Sequence, residues 1–81
     1  MQITVQFYSY FKDLTGCEQT SASVPPGATI GDLSKQLIAK FPNLGPMQNS
    51  MLIAVGVDYQ GRSFELKEGD EVSFFPPVQG G

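Results

Sequence analysis

Six prolines in three groups bound what this chain of 81 residues can fold into. Pro25-Pro26 runs into Gly27, Pro42 and Pro46 bracket Asn43-Leu44-Gly45, and Pro76-Pro77 follow Phe75. Proline locks φ, lacks an amide donor and clashes with the helical turn before it, so the first two groups fence residues 28–41 from both sides. That segment carries a helical pattern. Thr29-Ile30-Gly31-Asp32 has the spacing of a capping box, with Asp in place of the usual Glu. Ile30, Leu33, Leu37 and Phe41 then recur at intervals of three and four, one apolar stripe to lay against a sheet, while Lys35, Gln36 and Lys40 stay in water. Lys40 also suits the negative end of the helix dipole.

On either side of that helix the period is two. Ile3, Val5 and Phe7 alternate with Gln2, Thr4, Gln6 and Tyr8, which predicts a strand with one buried face. After the turn signal Thr15-Gly16, residues 18–24 are polar but rich in Thr, Ser and Val, and are expected to return antiparallel at a sheet edge. Residues 51–57 form a short apolar run, read as a strand covered on both faces, with a turn expected over residues 58–61. Residues 63–66 are expected to add a short edge segment, and Glu68-Gly69-Asp70 to turn again. In Glu71-Val72-Ser73-Phe74-Phe75 the alternation places Val72 and Phe74 inward, Ser73 and Phe75 outward. The order β, β, α, β, weak β, β describes one α+β domain, and the length leaves room for one core.

Composition excludes several chemistries. With no His and one Cys, the chain has no internal disulfide, no zinc site of the usual ligands and no Ser-His or Cys-His pair, and independent catalysis is not expected. Charges cancel over residues 1–45, so the net charge of −3 falls on residues 46–81. Clustered cations for a nucleic-acid backbone are lacking, and the acidic half suits a partner with a basic docking face, or is a solvated surface around a turn. No apolar run approaches the roughly 18 residues of a membrane helix, and MQITVQFYSY lacks a basic signal-peptide region, so the expected location is cytoplasmic, with no membrane partner. Cys17, with no activating His beside it, reads as a bystander.

The physical character changes at Pro76-Pro77-Val78-Gln79-Gly80-Gly81. Two prolines end a strand and project the chain in polyproline-like geometry. Six extended residues reach roughly 20 Å, enough to enter a partner's active site from a domain docked outside, and glycine threads a narrow channel. Residues 1–75 are therefore read as the folded domain and 76–81 as a flexible tail.

The stretch Gly69-Asp70-Glu71-Val72-Ser73-Phe74-Phe75-Pro76-Pro77-Val78-Gln79-Gly80-Gly81 resembles the G-D-E-V-x-F-F-P-P-V-x-G-G ending of the MoaD family, the small sulfur-carrier subunits of molybdopterin synthase. The resemblance extends through the opening strand, the K-D-L-T-G segment at Lys12, the capped helix and Ala54-Val55. It implies a ubiquitin-like β-grasp fold, with a mixed sheet packed on one main helix. It also implies a chemistry: an adenylating enzyme of the MoeB type uses ATP to activate the Gly81 carboxylate, and a sulfur donor system turns it into a thiocarboxylate. The tail, with Gly80, Gln79, Val78, Pro77 and Pro76 giving Gly81 access, then delivers sulfur to cyclic pyranopterin monophosphate inside a MoaE-type large subunit. The catalytic residues are expected on that subunit, in a heterotetramer, with no cofactor or metal held by this chain.

In a β-grasp domain the first and last strands are neighbours, so outward Tyr8 and Phe75 are expected side by side where the tail leaves. The family holds its partners with apolar residues at the positions of Tyr8, Tyr59 and Phe75, and often has Arg at Lys12 and Asn at Gly56. The alternative is that Tyr8 and Phe75 only cover the sheet locally. Three other functions stay open: a ThiS-like carrier for thiamine or another product, a ubiquitin-like protein modifier joined through Gly81, and a binding module with an inert tail.

Overall fold

The alternation of the opening residues builds β1 (Gln2–Phe7), which buries Ile3, Val5 and Phe7 and turns Gln2, Thr4 and Gln6 the other way. The structure, a computed structural model, describes residues 1–77; the expectations for Val78, Gln79, Gly80 and Gly81 lie outside the described residues. After β1 come α1 (Phe11–Thr15), β2 (Gln19–Ser23), α2 (Ile30–Lys40), a 3₁₀ helix (Pro42–Met47), β3 (Leu52–Val55), β4 (Asp58–Tyr59) and β5 (Glu71–Phe75). The five strands form one sheet in the order β2-β1-β5-β3-β4. β1 and β5 run parallel at its centre, and the other pairings are antiparallel. Ile3, Val5, Phe7, Ile53, Val72 and Phe74 of the sheet share one buried cluster with Ile30, Leu33 and Leu37 of α2, joined by Phe11, Leu44 and Leu66. None of the described helices is long and apolar enough to cross a membrane.

The helix begins where its capping box places it. Thr29 Oγ1 accepts from the Asp32 amide at 3.3 Å, and Asp32 Oδ2 accepts from the Thr29 amide at 3.0 Å. The next orphan donors are met from far along the chain: Ile30 N–H reaches the Phe64 carbonyl at 3.0 Å and Gly31 N–H the Arg62 carbonyl at 2.9 Å. This corrects the expectation of an edge segment at residues 63–66. That stretch makes an isolated bridge, Thr29 with Glu65, and otherwise closes the start of α2. The carbonyls of Phe64 and neighbouring Arg62 meet first-turn helix amides that have no partner within α2.

Hydrogen bonds from the Thr29 backbone and hydroxyl hold the Asp32 carboxyl below its ordinary value of 3.8. A carboxyl whose folded pKa is depressed stabilises the fold above its unfolded value, and that contribution is lost as pH falls through the folded one. The stability gap between the wild type and Asp32→Asn should therefore hold near neutral pH and close in acid below the ordinary carboxyl value of 3.8, as read by thermal melts across pH. A gap that persists in strong acid would deny the charged cap its role.

Two other local readings change. Residues 11–15, to which the sequence assigned no element, form α1, which inserts Phe11 into the core and ends at Gly16 with φ +77°. Five residues are too few to display a helical period. The turn expected over residues 58–61 lies instead at Gly56-Val57, because Asp58 pairs with Val55 and Tyr59 with Ala54. Gly56 has φ +62°, a positive value that glycine adopts freely in the two-residue turn of a tight hairpin.

Beyond α2, Pro42 does stop the α-helix, and the 3₁₀ turn that follows buries Leu44. Within α2, Ser34 is buried like Ile30, Leu33 and Leu37, and its hydroxyl has no hydrogen-bond partner among the described residues. A desolvated, unpaired hydroxyl is destabilising, and Ala is the better helix former, so Ser34→Ala should raise stability by about 1 kcal/mol. Urea titration reads this directly, and a loss of stability would show that the hydroxyl fills space the helix needs.

Candidate functional site

Period two sends Tyr8 and Phe75 to the face opposite the core cluster, and the parallel register then decides who meets whom. Gln6 stands beside Ser73 and Phe7 beside Phe74, so the next residues along, Tyr8 and Phe75, come together. The Tyr8 amide donates to the Phe74 carbonyl at 3.1 Å, anchoring the ring's backbone to β5. The two rings stack with centroids 4.6 Å apart and planes 11° off parallel. From the other side β3 supplies the bridge. It pairs Leu52 with Phe75 and Ala54 with both Ser73 and Tyr59, and Tyr59 turns its edge to Phe75 at 6.1 Å.

Small residues make this contact possible. Ser73 and Ala54 occupy the row beneath the rings and are only 5% and 7% exposed. A bulkier pair there would lift the aromatics off the sheet. The rings remain open to solvent, Tyr8 at 39% and Tyr59 at 68%. Phe75 is half-buried between them, and Pro76 and Pro77, also half-buried, follow it directly.

The three aromatics singled out in the sequence are thus brought together at the end of β5. Lys12 is not visibly part of that group: its ammonium lies 3.9 Å from Glu18 across the Gly16 turn, both side chains exposed, an ion pair of small energetic weight. Cys17 is half-buried with its thiol 3.8 Å from Thr15 Oγ1. Among the described residues no three of His, Cys, Asp and Glu converge as a metal site would need. What the described residues present is an aromatic surface beside an outgoing chain.

Two supports for the surface carried no sequence signal. Ser9 adopts φ +56°, a left-handed conformation for which Ser has no special preference, and so turns the chain sharply after Tyr8. Gln6 Oε1 accepts from the Tyr8 hydroxyl at 3.1 Å, a contact between residues two apart on one strand face.

The profile of the ThiS family matches residues 5–81. A molybdopterin synthase sulfur carrier subunit from Chlamydomonas reinhardtii is 31% identical over 83 residues, covering 100% of this chain and 100% of that one. Small archaeal modifier protein 3 from Haloferax volcanii is 27% identical over 95 residues, again with 100% of both chains covered. Among solved structures, SAMP1 from Haloferax volcanii matches with a TM-score of 0.89 at 20% identity over 100% of both chains, a likeness of fold. The mixed sheet order β2-β1-β5-β3-β4 packed on one main helix is that of a ubiquitin-like β-grasp domain.

Proposed function

The chain belongs to the ThiS family, and on that premise we propose that it is a sulfur carrier of the molybdopterin synthase type, with the terminal carboxyl of Gly81 as the group that carries. The observation behind this reading is the full-length match to a molybdopterin synthase sulfur carrier subunit, which takes in the Pro76-Pro77-Val78-Gln79-Gly80-Gly81 stretch. The geometry supports it: Pro76-Pro77 depart from an exposed aromatic face, where a partner can dock while the residues beyond reach into its active site.

Activation proceeds on an adenylating enzyme. A Gly81 carboxylate oxygen attacks the α-phosphorus of ATP, pyrophosphate leaves, and hydrosulfide delivered by the donor system attacks the acyl carbon, displacing AMP and losing its proton to give the thiocarboxylate. The large synthase subunit supplies the catalytic residues with which that sulfur is passed to cyclic pyranopterin monophosphate, in a heterotetramer. Val78, Gln79 and Gly80 lead the chain to Gly81, and Gly80 adds no Cβ beside the reacting carboxyl in a narrow channel. Tyr8, Tyr59 and Phe75 offer the apolar contact, with Lys12 at its margin, and the acidic residues 46–81 favour a basic docking face. Dependence on ATP suits a cytoplasmic location.

Intact mass with C-terminal peptide mapping tests this, after incubation with ATP, a matching activating enzyme and a sulfur donor. An oxygen-to-sulfur exchange at Gly81 is expected; no exchange, with the enzyme active on a control carrier, would refute the carrier reading. The likeness to small archaeal modifier protein 3 favours a second reading, conjugation through Gly81. Adducts of this chain on lysine side chains would establish that one.

A further inference from the structure

Resting on the carrier reading, we propose that Tyr8 and Tyr59 are positioning residues: they clamp Phe75 from two sides and so fix the direction in which Pro76-Pro77 leave the sheet. Phe75 is the last residue of β5, and one face of its ring is stacked by Tyr8 at 4.6 Å while Tyr59 meets it edge-on at 6.1 Å. Each contact comes from a different neighbouring strand system, β1 on one side and the β3–β4 hairpin on the other, so the ring cannot tip toward either without losing a partner. Such aromatic pairs stabilise by about 0.5–1.5 kcal/mol each beyond their buried area.

The clamp is also braced. The Tyr8 amide is tied to the Phe74 carbonyl, its hydroxyl to Gln6, and the next residue, Ser9, is held in a left-handed conformation that costs a residue with a Cβ about 1–2 kcal/mol. Strain of that kind persists only where its surroundings enforce it. The direction set at Phe75 is transmitted stiffly, because each proline has its φ locked. Over the roughly 6 Å that two prolines span at about 3.1 Å per residue, a swing of about 10° at their base moves the point where Val78 begins by about 1 Å. Misplacement by about 1 Å is already enough to slow a reaction on the order of a hundredfold.

Docking and positioning predict different kinetics. With the full chain, ATP and a matching activating enzyme, Tyr8→Ala should lower kcat for Gly81 activation at least about tenfold, in addition to the rise in KM that loss of its docking contact brings. Tyr8→Phe, which keeps the stack and loses only the hydroxyl, should restore kcat. Tyr59→Ala should repeat the kcat effect, and serves as the second variant if Tyr8→Ala does not fold. A rise in KM at unchanged kcat would assign these rings to docking alone and overturn the clamp, as would wild-type kinetics in both alanine variants. The clamp is read without any turnover by relaxation of the Phe75 ring carbons, whose order parameter should drop in Tyr8→Ala and recover in Tyr8→Phe. Wild-type protein that takes up no sulfur while Phe75 loosens as expected would fail the carrier reading and keep the clamp; an unchanged order parameter would remove the clamp itself.

Discussion

A variant lacking Gly81 is expected to form almost no thiocarboxylate and to support sulfur transfer only at background. The loss should be nearly complete, because the shortened chain ends in the Gly80 carboxylate, which stops about 3.5 Å short of the position that Gly81 reaches. The full chain with Gly81→Ala tests access separately, since it keeps the carboxylate and adds one methyl group to the reacting residue. Activity should fall there without vanishing. Neither change touches the core, whose buried cluster runs from Ile3 to Phe74, so stability should stay within about 0.5 kcal/mol of the wild type. Measuring thiocarboxylate by intact mass and stability by urea titration on the same preparations separates the two effects. A truncated protein that still carries sulfur would overturn the assignment of Gly81.

The second large effect is expected at Phe74, where Phe74→Ala should destabilise the domain by about 3–5 kcal/mol. Phe74 lies at the centre of the sheet, beside Phe7 on β1 and Ile53 on β3, and is fully buried. Its ring lies 6.0 Å from that of Phe7, which meets Phe41 edge-on at 5.7 Å, so the loss opens a gap in a chain of three packed aromatics. A domain of this size holds only about 4–12 kcal/mol in total, so the loss removes at least about a quarter of it and should lower the urea midpoint by the same fraction. Phe74→Leu, which keeps most of the apolar volume, should cost less than about half as much. A loss below about 1 kcal/mol for Phe74→Ala in urea would mean that the sheet and α2 close over the gap. Because Phe75 is the next residue, conditions that loosen Phe74 should also release the aromatic clamp.

Much of this architecture was legible before any tertiary structure. The start of α2 followed from Thr29 and Asp32, whose side chains bond amides within three residues of themselves, and its stripe from the spacing of Ile30, Leu33 and Leu37. The outward positions of Tyr8 and Phe75 followed from alternation along each strand. That they meet did not: it came from resemblance to a family fold, and the register of β1 on β5 realises it. Where the reading failed, the deciding partner was distant or the element was short. Residues 63–66 were expected at a sheet edge, yet the carbonyl of Phe64, with that of neighbouring Arg62, answers the amides of Ile30 and Gly31 more than thirty positions earlier. Five residues of α1 showed no period, and the hairpin turn was displaced by two residues because Gly56, not Asp58, has the freedom to adopt positive φ.

By itself, the sequence determined the elements whose causes are local: the capped helix, the alternating faces of β1 and β5, the proline-marked end of the last strand and the Gly80-Gly81 pair on which the carrier chemistry rests. These follow from bonds and steric contacts that span a few residues. Only the tertiary structure decided that β5 enters between β1 and β3, that residues 62–66 close the start of α2, and that Tyr8, Tyr59 and Phe75 form one aromatic group. Those outcomes depend on which unpaired amide or exposed ring finds its partner across the fold, and the free energy of such pairings is shared between segments that no local pattern connects.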